Sequence, residues 1–189
     1  MTDKNIIPKI ERIVEESCKK ETNAFGYGIW SHHIVYVVKY SKVLAEKIGA
    51  DKEVVELASL LHDYASIKKF EYYKEHHIYG AEEAEKILKD LDYPYKKIKK
   101  IKACILSHRA SIDSDRLSKE EICVASADAI AHIDQVASLL YYVYKEKNMD
   151  IDAGKKWVRN KLMRSWNKLN EEGKELIKEK YYNTLKILE

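Results

Sequence analysis

The sequence predicts an all-α fold, and three observations support that prediction. The 189-residue chain contains only two Pro and six Gly, and it is rich in Lys, Glu, Leu, Ile and Ala, which favour helix. Apolar residues recur every three or four positions along most of the chain, as they do on the buried face of a helix. No internal repeat, low-complexity stretch or linker interrupts this pattern, so we expect residues 1–189 to form one domain.

In the first half of the chain the apolar pattern is divided by helix-ending and helix-starting residues. Gly49 is placed to end the second helix, and Asp51 is a suitable N-cap for the third. Between the third and fourth helices, residues 66–79 are expected to be irregular or short-helical. The helices predicted in this half cover residues 4–21, 31–48, 51–63 and 81–91.

In the second half, Pro94 suits the first position of a helix that ends near His108. Ser118 and Glu121 have the spacing of a capping box, which opens a long helix to about Lys147. The middle of that helix is small or apolar on every side, so we expect it at the centre of the fold.

The C-terminal residues 150–189 predict two more helices, divided near Gly173. This segment contains neither His nor Cys. We interpret it as a helical extension that serves as cover or as an interface, and not as a source of chemistry. An interface there is compatible with a homodimer.

Composition excludes several functional classes. The 34 basic and 31 acidic residues give a net charge of +3, and no clustered basic face indicates nucleic-acid binding. The three cysteines show no CxxC spacing, so neither a disulfide framework nor a cysteine zinc site is indicated. The N-terminus is polar and no apolar run has membrane-spanning length, so we expect a cytoplasmic protein without a membrane partner.

Polar residues at the ends of apolar helices predict a metal site. All seven histidines lie between residues 32 and 132, and an adjacent His-Asp pair ends the apolar third helix. An isolated pair of this kind would be read as a surface feature, but a buried carboxylate needs a cation, and metal ions commonly provide one. The predicted inward-facing set comprises His33, His62, Asp63, His76 or His77, His108 and Asp128.

The order and the local sequences of these residues resemble the HD-domain phosphohydrolase superfamily in its dinuclear form. The strings at residues 33–37 (HIVYV) and 60–65 (LLHDYA) resemble the first histidine helix and the His-Asp helix of that family. Residues 76–81 (HHIYGA) resemble its His-x-x-x-Gly-Ala segment, which favours His76 over His77. The resemblance covers roughly residues 30–133 and implies a helical bundle.

The resemblance also implies roles for the individual residues. His33, His62, Asp63 and Asp128 would hold one divalent ion, and Asp63 would bridge to a second ion that is also held by His76 and His108. Iron or manganese is expected first, with magnesium, zinc, cobalt or nickel as alternatives. Two such ions would activate a water for attack on phosphorus. The implied substrate is a small phosphorylated molecule, in first place a nucleotide.

Several further residues are candidates for binding substrate or for orienting ligands. Arg109 and either Lys68 or Lys69 are expected to meet phosphate, and Arg116 is the weaker candidate. The predicted catalytic residues are Asp63, Arg109 and Lys68. The alternative for Arg109 is an ion pair with Asp113 or Glu120. The residues expected to orient ligands are His132, Tyr64 and His77.

The resemblance is local in places, and other functions of the same family stay open. Residues 62–65 (HDYA) are shared with symmetrical diadenosine tetraphosphate hydrolases, whereas Ser66 and residues 109–111 (RAS) depart from that group. A non-catalytic nucleotide-binding HD module and a di-iron HD oxygenase are the alternatives to a phosphohydrolase. The complete ligand set favours an enzyme.

Overall fold

A computed structural model describes residues 5–109 and 116–189, and every regular element in these ranges is helical. The all-α prediction is therefore confirmed. The predicted start of the first helix at residue 4, and Asp113, lie outside the described residues. The α-helices are α1 (Ile6–Cys18), α2 (Val35–Ile48), α3 (Lys52–Leu61), α4 (Tyr64–Lys68), α5 (His76–Asp90), α6 (Tyr95–Ser107), α7 (Lys119–Asp134), α8 (Val136–Tyr141), α9 (Ile151–Lys168) and α10 (Glu171–Ile187).

Three short helical segments connect these helices. A π-helical turn, Trp30–Ile34, runs directly into α2, and a second one, Tyr142–Glu146, follows α8. A 3-10 segment, Phe70–Glu75, joins α4 to α5. Helix α5 thus begins at His76, five residues before the predicted start, so His76 is held by helical backbone and not by an irregular loop.

Helix α7 lies at the centre of the fold, as predicted. It packs against α2, α3, α6, α9 and α10, and its segment from Cys123 to Ala131 is buried throughout. The small side chains along this segment allow neighbouring helices to approach closely from several directions. Asp128 is consequently carried into the interior, where a carboxylate is costly unless cations compensate it.

The predicted caps position the helices that lead to the site. Gly49 ends α2 with a positive φ of 70°, and the Asp51 side chain accepts hydrogen bonds from two backbone amides at the start of α3. Ser118 Oγ accepts from the backbone amide of Glu121 at 3.2 Å and donates to its side chain at 2.8 Å. Helices α3 and α7 therefore begin where the sequence indicates.

Two helix ends differ from the prediction. Helix α7 ends at Asp134 and not near Lys147, and the chain bends by 73° before Val136–Glu146. The side chain of Asn170 accepts a hydrogen bond from the Gly173 amide at 3.1 Å, so the last break lies at this N-cap and not at the glycine. Among the described residues no single helix is long and apolar enough to span a membrane, whereas that bent pair meets the criteria of length and composition.

Candidate metal centre

The end of α3 delivers the His-Asp pair to the interior. Helix α3 is buried from Leu57 to Leu61, and the following His62 is fully buried. His62 Nδ1 lies 2.8 Å from the carbonyl oxygen of Ser59, one turn earlier. Donation from Nδ1 leaves the Nε2 lone pair facing away from its own helix, which is how a histidine ligand is oriented for a metal.

Two further histidines are oriented by the same backbone contact. His76 Nδ1 lies 2.7 Å from the Tyr73 carbonyl oxygen, and His108 Nδ1 lies 2.6 Å from the Ile105 carbonyl oxygen. Their Nε2 atoms face each other at 3.1 Å. Three histidines thus present Nε2 inward because of a contact that each helix end supplies locally.

Gly80 explains how α5 comes close enough to carry His76 into this cluster. A Cβ at position 80 would lie 3.2 Å from both the His62 carbonyl oxygen and Ile105 Cγ2. A larger residue would push α5 away from the end of α3. The glycine of the His-x-x-x-Gly-Ala string therefore has a packing function that places His76, and not His77, in the cluster.

His33 and Asp128 complete one side of the cluster. His33 lies in the π-helical turn before α2 and is buried, and such turns often occur at functional sites. Its Nε2 lies 3.1 Å from His62 Nε2 and 3.5 Å from Asp128 Oδ1.

Asp63 lies between two sets of histidines. Its Oδ2 is 3.3 Å from His33 Nε2 and 3.2 Å from His62 Nε2. Its Oδ1 is 3.5 Å from His76 Nε2 and 4.0 Å from His108 Nε2. One carboxylate therefore contributes one oxygen to each set, the arrangement that the resemblance implies for a bridging ligand.

The donor atoms of this cluster fit divalent cations. His76 and His108 both donate from Nδ1, so their bare Nε2 lone pairs would repel each other at 3.1 Å unless a cation lay between them. Two ligands of one ion with bonds of about 2.1 Å are separated by about 3.0–3.4 Å, depending on the coordination angle. Imidazole and carboxylate donors without thiolate suit transition-metal dications.

The electrostatics of the cluster also favour a cation. Burial opposes a charged imidazole, but the Asp63 carboxylate overcomes it and raises the pKa of His62 to about 9. Burial and the neighbouring His62 and His76 push the pKa of His108 well below its usual value. Protons and metal ions compete for the same Nε2 atoms, so this cluster binds positive charge at one histidine while keeping another neutral.

His132 lies beside the cluster, against His33 and Asp128. Its ring stacks on His33 with centroids 4.6 Å apart, and its Nε2 lies 3.2 Å from Asp128 Oδ1. Burial and the charge of Lys161 lower the pKa of His132 to about 3. Expected from the sequence only to orient a ligand, His132 has a ring nitrogen close enough to His33 and Asp128 for all three to hold one ion.

Lys168, at the end of α9, makes a contact that the sequence analysis missed. Its Nζ lies 2.5 Å from Asp128 Oδ2 and 2.9 Å from the His108 carbonyl oxygen. Although burial disfavours the ionised carboxylate, Lys168 holds the pKa of Asp128 well below its usual range. The tail that was expected to carry no chemistry thus ties two ligand-bearing elements together.

A cavity of about 660 Å³ opens beside the cluster. The cluster residues His33, Asp63, His76, His108, Asp128 and His132 line one side of it. Three cations, Arg109, Lys161 and Arg164, also line it. The aromatic part of the lining consists of Phe25, Tyr27, Tyr73, Tyr141, Tyr142 and Trp157.

Of the two cations predicted to bind phosphate, one lines the cavity and the other does not. Arg109 lines the cavity, and its Nη1 donates to the Lys74 carbonyl oxygen. Lys68 does not line it, since its ammonium pairs with Glu83 at 2.7 Å on the surface. Helix α4 turns the Lys68 side chain outward, so this geometry does not support the prediction that Lys68 meets phosphate.

The remaining sequence candidates do not line the cavity. Arg116 is not among the residues that line the cavity. Tyr64 is buried, and its hydroxyl accepts a hydrogen bond from Ser17 at 3.5 Å. Of the alternatives for Arg109, Glu120 pairs with Lys100 at 3.3 Å, whereas Asp113 lies outside the described residues.

Comparisons with known proteins agree with this fold. The family model described as HD domain matches residues 30–133. The Bacillus subtilis YpgQ protein, solved in complex with ADP, has a TM-score of 0.70 and 19% identity, over 96% of this chain and 93% of that chain. A Listeria innocua protein gives a TM-score of 0.71 and 24% identity, over 100% of this chain and 94% of that one.

A third solved structure, an HD-superfamily hydrolase from Bacillus thuringiensis, has a TM-score of 0.70 and 19% identity, over 96% of this chain and 92% of that one. At these identities the three structures establish the fold alone. A search of curated proteins finds no match.

Proposed function

This chain belongs to the HD domain family, and we propose that it is a metal-dependent phosphohydrolase acting on a nucleotide or another small phosphate ester. The single observation that carries the proposal is the position of Asp63, with one carboxylate oxygen toward His33 and His62 and the other toward His76 and His108. This geometry supports a centre for two divalent ions, in which Asp128 completes the first ligand set.

The chemistry of such a centre determines what the protein residues have to do. When bound, two divalent ions lower the pKa of a water and neutralise charge on a phosphate. His62, His76 and His108 keep their Nε2 lone pairs aimed at the centre through their Nδ1 contacts. Arg109 binds and orients the phosphate at the cavity wall, since a guanidinium matches phosphate oxygens in pairs.

The shape and lining of the cavity support a nucleotide as the substrate. Phe25 contacts Tyr73 and Tyr142 with ring centroids 5.7 and 5.9 Å away, and Tyr142 contacts Trp157 at 6.2 Å. Aromatic side chains of this kind stack on nucleobases. The similar Bacillus subtilis structure was solved with ADP, which supports the same ligand class here.

We further propose that residues 1–189 form one domain, with an HD core at 30–133 and the helices of residues 150–189 closing one side of the cavity. The support for this is that α9 packs on α7 and that Lys168 reaches both Asp128 and His108. The core and the C-terminal helices would then act as one unit.

Two other functions use the same residues. A non-catalytic nucleotide-binding module would have no need for six ligands with aligned donor atoms. A di-iron oxygenase would need such ligands too, but it would need cations along the cavity wall only if its own substrate were an anion. Arg109, Lys161 and Arg164 in the lining therefore favour a phosphorylated substrate.

The test is a screen of the purified protein against nucleotides and generic phosphate esters with manganese, iron, magnesium, cobalt, nickel or zinc. We expect metal-dependent release of phosphate or pyrophosphate that the Asp63→Ala variant lacks. Oxygen uptake without phosphate release would instead support the oxygenase, and nucleotide binding without turnover under any metal would support the binding module.

A further inference from the structure

One face of α9 carries three residues into the cavity. Trp157, Lys161 and Arg164 are four and three positions apart and therefore share one side of the helix, and all three line the cavity. These residues lie outside the range that matches the HD family model. The family match therefore assigns no function to this face, and its contacts are the available guide.

Two lysines on α9 have opposite surroundings, although both are close to the ligand cluster. Lys168 is engaged by Asp128 and by the His108 carbonyl oxygen. Among the described residues, no hydrogen bond or ion pair engages the ammonium of Lys161. Burial lowers the pKa of Lys161, while the charges of Asp128 and Asp63 act in the opposite direction.

The charges that line the cavity are unevenly distributed. Within the described lining the acidic residues are Asp63 and Asp128, and both are candidate metal ligands. Metal ions held there would neutralise these carboxylates. The cations Lys161, Arg164 and Arg109 would then face the cavity without lining carboxylates to balance them.

We propose that the inner face of α9 forms an anion subsite in which Lys161 binds a phosphate group of the substrate, with Arg164 and Arg109 beside it. An ammonium donates up to three hydrogen bonds to phosphate oxygens, and a guanidinium donates two in parallel. The inference rests on the proposed function, because the anion is the phosphate of that substrate. It assigns substrate binding to a helix that the family motif does not include.

The probe is pyrophosphate, titrated calorimetrically into the full-length, manganese-loaded protein. Lys161→Met should weaken binding about tenfold or more, because a charge-assisted contact is lost. Lys161→Arg should retain most of the affinity. The matched control is Lys156→Met on the exposed side of the same helix, which should bind as the wild type does.

Metal content, measured on the same samples, separates anion binding from a structural effect. No hydrogen bond or ion pair joins Lys161 to a candidate metal-ligating residue in the described structure, so Lys161→Met should hold as much manganese as the wild type. Loss of metal together with pyrophosphate affinity would overturn the inference, and so would equal pyrophosphate affinity in Lys161→Met and wild type.

The inference and the proposed function fail in different ways. If pyrophosphate binding depends on Lys161 but the protein hydrolyses no phosphate ester, the anion subsite would be supported and the proposed hydrolase activity would be contradicted. If Lys161→Met hydrolyses phosphate esters with unchanged kcat/KM and binds pyrophosphate with unchanged affinity, the hydrolase activity would be supported and the anion subsite would be contradicted.

Discussion

The two sides of the cavity differ in how their polar groups are engaged. The ligand side consists of the lining residues His33, Asp63, His76, His108, Asp128 and His132, together with the fully buried His62. The ligand atoms of these residues form groups whose members lie within 4.8 Å of one another. On the α9 side, no hydrogen bond or ion pair within the described structure engages the Lys161 ammonium. A preorganised set of donors is suited to bind ions, whereas a half-buried cation without a hydrogen bond or ion pair is suited to bind an incoming anion.

Asp63→Ala should have the largest effect, because it removes the group that joins both sets of histidines on the ligand side. We expect turnover of any substrate to fall by about 1,000-fold or more, with the helical content unchanged by circular dichroism. The matched control is Lys68→Ala, whose ammonium pairs with Glu83 at the surface. Near wild-type turnover in Asp63→Ala would contradict the assignment of the site.

His108→Ala tests whether the ligand side holds two ions. Its Nε2 approaches His76 and Asp63 but belongs to none of the groups around His33. We therefore expect manganese or iron content to fall from about two ions per chain toward about one, with activity lost in step.

The neighbouring histidines of α5 provide the control for this count. His76→Ala should lose the same ion as His108→Ala, whereas His77→Ala should keep both, because His77 lies outside the ligand groups. A wild-type protein that saturates with one ion would contradict the dinuclear centre, and metal loss in His77→Ala would reverse the choice between the two histidines.

Lys168→Met tests the connection between the two sides. Removing this cation leaves Asp128 buried without its closest partner, which costs about 3–5 kcal/mol. For a chain of this size that corresponds to a Tm lower by about 10 °C in the metal-free protein. Bound manganese should recover part of the loss, since it also compensates Asp128.

Two controls separate this role from a general effect of removing lysines. Lys180 forms a surface pair with Asp134, and its loss should cost less than about 1 kcal/mol. Lys161→Met should lower the Tm by less than Lys168→Met does, because no hydrogen bond or ion pair engages its ammonium in the described structure and it acts on Asp128 through longer-range charge. Equal destabilisation by Lys168→Met and Lys161→Met would contradict the claim that Lys168 is the lysine that compensates Asp128.

The ligand side could be predicted from the sequence because its causes are local. The histidine contacts to carbonyl oxygens three residues earlier, and the caps at Asp51 and Ser118, depend on neighbours along one helix. Helical periodicity and the order of the His and Asp residues carry that information. The bend after Asp134 was missed because the apolar pattern continues across it.

The α9 side could not be predicted because its causes are distant in sequence. Lys168 meets Asp128 across 40 positions, and nothing distinguishes it from the other lysines among 34 basic residues. The available signal was the seven-residue spacing of Lys161 and Lys168, which places them on one helix face. Lys68 shows the converse, since its ammonium pairs with Glu83 outside the cavity lining although the residue is close to Asp63 in sequence.

Arg109→Ala should have the smallest effect and refine the boundary between the two sides. Arg109 directly follows the candidate ligand His108, yet its guanidinium lines the cavity with the cations of α9. If it acts with them, its loss should lower kcat/KM about tenfold, the lower end of the cost of a charge-assisted contact, while metal content stays unchanged. Arg109→Lys should recover only part of this loss, because an ammonium cannot bind two phosphate oxygens in parallel. Steady-state kinetics and metal analysis on the same preparations give both values.

Loss of metal with unchanged substrate affinity would instead assign Arg109 to the ligand side, through its contact with the Lys74 carbonyl oxygen two residues before His76.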